Sequence, residues 1–167
     1  MKKNFKTIVT VIAVLFIVVL VVINRNSVKK QEGMADKMQL SFIVNGGEKI
    51  YYYDEASADY INFDTQMKRK NGDVFDKTYN GIEMAVILKD IGVNLSQNTD
   101  IHIVCADNYE IRLSADEIME KGNIYLITKE NGNKLAETDG PFMLVINNDE
   151  FSTRWAKNVV QVKVNEK

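Results

Sequence analysis

The chain has 167 residues, with 21 basic and 23 acidic side chains and a single cysteine and a single histidine. All the acidic residues follow an apolar stretch near the amino terminus, so the part beyond it carries a formal charge of −5, which weighs against a nucleic-acid partner. A lone Cys105 and a lone His102 exclude an intramolecular disulfide, and within one chain they exclude a bis-histidine haem site or an ordinary zinc site.

Residues 1–6 form a basic head with Lys2, Lys3 and Lys6, and residues 7–23 contain no charge and only Thr7 and Thr10 as polar side chains. At helical rise those 17 residues span roughly 25 Å, which predicts one transmembrane helix. Ile23-Asn24-Arg25-Asn26 offers no small-x-small cleavage pattern, so the segment reads as an uncleaved signal anchor rather than a secretory leader. Basic residues nearly balance across it, and an acidic domain behind a short basic head places that domain outside. The expectation is a single-pass cell-membrane protein whose soluble domain is extracytoplasmic. Residues 24–37 are polar and charged without apolar period and read as a tether.

The remaining residues, 38–167, suit one domain able to bury its own core. Residues 38–44 alternate as a strand, Asn45-Gly46-Gly47 supplies a hairpin turn, and residues 49–53 return. Asp54 is placed to cap a short helical turn running to Asp59. Residues 61–68 and 73–79 read as strands around Lys70-Asn71-Gly72-Asp73. Ile82, Val86, Ile87 and Ile91 share helical spacing, and Gly92 follows as terminator, which predicts a helix over residues 82–91. Ile101, Ile103 and Cys105 predict a buried strand, Asp107-Asn108 a turn, and Tyr109, Ile111 and Leu113 the return strand. Ser114 and Glu117 form a capping box for a short helix over residues 115–120, with Gly122 closing it. Strands at 124–128, 142–146 and 159–164 follow, and the loop over residues 147–155 holds Arg154 beside Trp155, the chain's only tryptophan. Strands interspersed with two or three short helices give an α+β domain with a mixed or antiparallel sheet.

Five patches in this order resemble the molybdopterin-binding domain of the sulfite-oxidase family. They are Tyr79-Asn80-Gly81-Ile82-Glu83-Met84, Val104-Cys105-Ala106-Asp107-Asn108-Tyr109, Asn131-Gly132-Asn133-Lys134-Leu135, Asp139-Gly140-Pro141-Phe142-Met143-Leu144-Val145, and Ser152-Thr153-Arg154-Trp155-Ala156-Lys157-Asn158-Val159. The resemblance implies a mixed, mainly β fold with short helices, a pterin held by loops, and oxidoreductase chemistry at molybdenum in full members. It also implies a thiolate ligand upstream of Tyr79, where residues 61–78 contain no cysteine. Neither Met67 nor Asp64 replaces a thiolate without changing the charge and geometry of the metal.

Read residue by residue, Cys105 alternates with Ile101 and Ile103 as a small buried hydrophobe with a raised pKa. His102 falls on the opposite face as an exposed bystander. The family pattern marks Asp107, Asn108, Tyr109, Arg154 and Trp155 as candidate cofactor-binding residues. Asp107-Asn108-Tyr109 equally serves as turn geometry, and Arg154 with Trp155 either closes the core edge or contacts an anion or pterin. Tyr51, Tyr52, Tyr53 and Tyr60 could line a flat-ligand cleft, although packing is the commoner task of such residues. The missing thiolate favours a non-catalytic module, with no cofactor or with molybdopterin alone, that binds a small anionic or pterin ligand or an envelope protein. The alternative is a molybdopterin-dependent oxidoreductase of the sulfite-oxidase type. A redox partner for a membrane electron carrier lacks any haem, flavin or cluster motif.

Overall fold

The computed structural model describes residues 37–166 together with position 19, and the segments at 1–6, 7–23 and 24–36 otherwise lie outside the described residues. No described helix is long and apolar enough to cross a membrane. The compact unit Met38–Lys167 contains two sheets.

The first sheet is mixed and five-stranded. Strand β1 (Met38–Val44) pairs antiparallel with β2 (Gly47–Tyr53) and parallel with β10 (Val159–Asn165). Strand β10 pairs antiparallel with β5 (Asp100–Cys105), which pairs with β6 (Glu110–Ser114). Asn45 and Gly46 at the β1–β2 turn have φ of 50° and 83°, as a two-residue hairpin turn requires. The second sheet is antiparallel, with β3 (Ile61–Lys68), β4 (Val74–Glu83) and β7 (Ile124–Glu130) in order. The short β8 (Asn133–Lys134) and β9 (Met143–Ile146) both pair with β7.

Helix α1 spans Met84–Asp90, not the expected residues 82–91. Ile82 and Glu83 remain in the ladder opposite Leu126 and Tyr125, so sheet pairing overrides the helical spacing at its start. At its end Val93 N donates to Leu88 O and Gly92 N to Lys89 O, with Gly92 at φ 73°, the left-handed stop expected from sequence. Residues 54–59 form consecutive turns and no helix, although the Asp54 carboxylate does accept a bond from Ala56 N (3.0 Å). Helix α2 (Ala115–Met119) begins with the predicted capping box of Ser114 and Glu117.

The sheets share one core. Leu40, Phe42, Ile103 and Val162 from the first meet Ile82, Leu126 and Leu144 of the second, with Ile87 and Leu88 of α1 and Ile118 of α2 joining them. Tyr53, at the end of β2, crosses the interface and donates its buried hydroxyl to Leu126 O at 2.6 Å. Its ring packs edge-on to Phe142 at 5.3 Å. The packing role open for the four tyrosines is the one Tyr53 fills, while Tyr52 stays on the surface. Tyr125, which alternates with Leu126, faces the other side and stacks on Phe63 at 4.0 Å.

On the outer face of the first sheet, register corrects the reading of His102 as a bystander. It sits between Arg112 of β6 and Lys163 of β10. Its Nε2 contacts Asp100 Oδ2 at 3.0 Å, its Nδ1 contacts Glu110, and Arg112 Nε reaches Asp100 Oδ1 at 3.1 Å. Lys163 completes the row on Glu110 Oε2 at 3.0 Å. Hydrogen bonds to Asp100 and Glu110 raise the imidazole pKa.

Two outcomes are expected. Tyr53→Phe, leaving the Leu126 carbonyl without its partner, lowers stability by about 1–3 kcal/mol in urea unfolding. Because the folded pKa of His102 lies above its unfolded value, its stabilisation is complete below about pH 6.5 and lost as pH rises through the folded pKa. Wild type should therefore lose stability relative to His102→Gln on going upward from about pH 6.5, measured by urea midpoints.

Candidate functional site

Two loop systems meet at one end of the sheets. In the turn between β5 and β6, Asp107 accepts a bond from Tyr109 N (3.0 Å) and Asn108 takes a left-handed φ of 66°. Tyr109 projects with 45% exposure and its hydroxyl donates to Thr153 O at 3.4 Å. The structure therefore brings Tyr109 against the loop of residues 147–155.

Within that loop Ser152–Arg154 forms one 3-10 turn. Ser152 Oγ donates to Lys68 O at 2.8 Å, and Asn147 Nδ2 donates to Gly122 O at 2.8 Å. Trp155 lies at the core edge with its indole N–H on Ile146 O (2.9 Å) and its ring edge-on to Tyr79 at 6.0 Å. Arg154 Nε donates to Asp149 Oδ2 at 2.9 Å, and its Nη2 reaches Asp149 Oδ1 and Glu117 Oε1, the latter at 2.7 Å. The Asp149 bonds, supported by Glu117, push the guanidinium pKa up. Partial burial opposes ionisation of Glu117, yet the Ser114 N–H and Arg154 hold its carboxyl below the usual range. Arg154 thus ties the loop to the first turn of α2, its fork engaged by two carboxylates.

A second feature lies beside this junction and was not anticipated from sequence. Asn158, at φ 52°, accepts Ala106 N on its carbonyl (2.9 Å) and donates its own N–H to Asp139 O (2.8 Å). Its side-chain amide donates to Thr138 O at 2.7 Å. Gly140, at φ 78°, packs so tightly that a Cβ there would fall 2.1 Å from Asn158 Oδ1 and 2.7 Å from its Cα. These turns edge a cleft of about 310 Å³ whose apolar walls include Met38, Leu135, Ala136 and Pro141. Thr128 and Glu55 also line it. Glu55 accepts from Thr128 Oγ1 at 2.8 Å and from Lys129 Nζ at 2.6 Å. Burial works against the Glu55 charge, but Lys129 and Thr128 keep its pKa low. Lys134-Leu135, Gly140-Pro141 and Asn158, each in a separate family-like patch of the sequence, line this cleft together. Met38 and Glu55 reach it only through the fold.

The thiol of Cys105 is 3% exposed within β5, and burial, with Asp107 nearby, raises its pKa. Among the described residues, no group of three or more His, Cys, Asp or Glu side chains is arranged to hold a metal ion. The donor set does not fit a thiolate-ligated molybdenum centre, because the chain's one thiol is a protonated core side chain.

Two sheets joined by a few short helices make a mainly β domain of the α+β class. The family model described as the oxidoreductase molybdopterin binding domain matches residues 54–167, and the chain belongs to that family. Among solved structures it resembles the sulfane dehydrogenase SoxCD from Paracoccus pantotrophus, with a TM-score of 0.63 at 16% identity. The match covers 77% of this chain and 38% of that one, so it spans well under half of the SoxCD chain. No curated protein matches.

Arg154→Ala leaves the mostly buried Asp149 carboxylate without its fork, and a loss of about 1–2 kcal/mol is expected, followed by Trp155 fluorescence in urea. Arg154→Lys keeps the charge and should recover only part of it.

Proposed function

We propose that this chain is a membrane-anchored, extracytoplasmic member of the family that binds a ligand or a partner protein without thiolate-ligated molybdenum chemistry. The observation that carries this reading is Cys105, closed into the core at 3% exposure in a chain with no other cysteine. The engagement of Arg154 with Asp149 and Glu117 supports it, since an anionic cofactor would compete with two carboxylates for one guanidinium. The binding edge is the cleft beside Gly140, with the Tyr109–Thr153 junction as its neighbour. The uncharged residues 7–23 and the acidic domain behind a basic head support the anchor and its orientation.

Membership of the family supports a second reading, a molybdopterin-dependent oxidoreductase whose metal is held by the dithiolene alone or with help from another chain. The two readings separate when the full chain is purified in detergent from a host that makes the cofactor. Molybdenum is then measured by elemental analysis and pterin by fluorescence after oxidation. Metal far below one equivalent is expected. Stoichiometric molybdenum would sink the non-catalytic reading, and pterin without metal would identify the ligand as the organic cofactor.

A further inference from the structure

The β3–β4 hairpin carries a feature that the cleft and the loops do not use. Only Tyr79–Glu83 of β4 pair with β7, and Thr78 O accepts from Asn131 N (2.8 Å), so Val74 to Lys77 have β3 as their backbone partner and form the outer part of a two-stranded ribbon. Its turn is built rather than loose. Arg69 N donates to Asp73 O (2.8 Å), Gly72 N to Arg69 O (3.0 Å), Asp73 N to Asn71 Oδ1 (3.1 Å), and Gly72 has φ 96°. Ser152 Oγ pins the backbone of Lys68 from the opposite loop.

At this end Lys68, Arg69 and Lys70 are consecutive and exposed, next to Val74 at 54% and Phe75 at 39% exposure. The Arg69 guanidinium lies 4.9 Å over the Phe75 ring. Asp73 is the carboxylate near Arg69, at 4.0 Å with both side chains about half exposed, a contact of little strength in water. The charge contrast is pronounced. Residues 38–167 contain 14 basic and 21 acidic side chains, a formal −7, whereas residues 67–77 carry +2. Val74, opposite Lys68, and Phe75, opposite Met67, expose one apolar side chain on each face of the ribbon, so a basic tip entering end-on suits a surface that is anionic outside and apolar just beneath.

We infer that the Lys68–Phe75 ribbon tip is a contact site for an anionic lipid bilayer, with Lys68, Arg69 and Lys70 on the headgroups and Val74 and Phe75 entering the interface. The inference stands apart from the proposed anchor: flotation with neutral vesicles reads the anchor, and a probe on the tip reads the contact.

In the test, the full chain bearing Val74→Cys is labelled with an environment-sensitive fluorophore. The buried Cys105 thiol stays unlabelled, which the parent chain under the same conditions checks. The protein is reconstituted into vesicles of phosphatidylcholine alone or mixed with phosphatidylglycerol. A blue shift is expected only with the anionic vesicles, and it should fade at about 0.5 M salt as screening shortens the range of the headgroup field. It should also vanish in Lys68→Glu/Arg69→Glu/Lys70→Glu, whose unchanged Trp155 emission shows an intact fold. A probe at the exposed Asn98→Cys should report no shift. Equal emission in the two vesicle types, or a shift surviving the triple reversal, would overturn the assignment. So would an equal shift with soluble heparin, which would make the tip a general polyanion site.

Discussion

The carbonyl of Leu126 is where the two sheets are held in one relation. Gly81 lets it approach, since a Cβ at that position would lie 2.6 Å from this oxygen, and Tyr53 from the other sheet supplies the proton it accepts. A buried carbonyl without a donor costs free energy comparable to a lost hydrogen bond, so the Tyr53 hydroxyl sets the depth at which β2 meets β7. The irregularity in the β4–β7 ladder falls at Asn80 and Gly81, beside the same contact. Phe142, packed against the Tyr53 ring, carries the constraint into the segment that follows Gly140.

The ends of the sheets follow from that relation. Residues in left-handed conformation, among them Asn108, Gly140 and Asn158, let three turns approach one another closely. Asn158 ties two of them through main-chain and side-chain bonds, which stiffens one wall of the cleft. The other loop is held by charge, with Arg154 joining Asp149 to the capping carboxylate of α2. Glu117 therefore serves two structures, closing the start of the helix with one oxygen and anchoring the loop with the other. The family framework is retained here around a thiol that packs as a core side chain.

Much of the fold was legible because the signals are local. Asn45-Gly46, Ser114 with Glu117, and Gly92 each act within a few residues, and each does in the structure what its chemistry requires. The start of α1 was misread because the partners that keep Ile82 and Glu83 extended, Leu126 and Tyr125, lie more than forty residues away. His102 was misread for a different reason: Asp100, Glu110 and Arg112 lie within ten residues of it, but that they meet it on one face depends on the exact register of β5 against β6, and Lys163 comes from the distant β10. The cleft was invisible as a unit because Met38, Glu55, Leu135 and Pro141 share no spacing along the chain.

The sequence by itself determined the class of the domain, its strands and turns, the order of patches that marks its family, and the single cysteine that narrows its chemistry. Those properties depend on residue type, short-range periodicity and order along the chain, all of which are written linearly. The burial of Cys105 was also legible, from its alternation with Ile101 and Ile103, whereas tertiary structure alone decided that Arg154 spends its fork on two carboxylates and that an apolar cleft opens beside Gly140. Each depends on which distant strands pair and in what register, and a one-residue change of register moves every side chain of a strand to its other face.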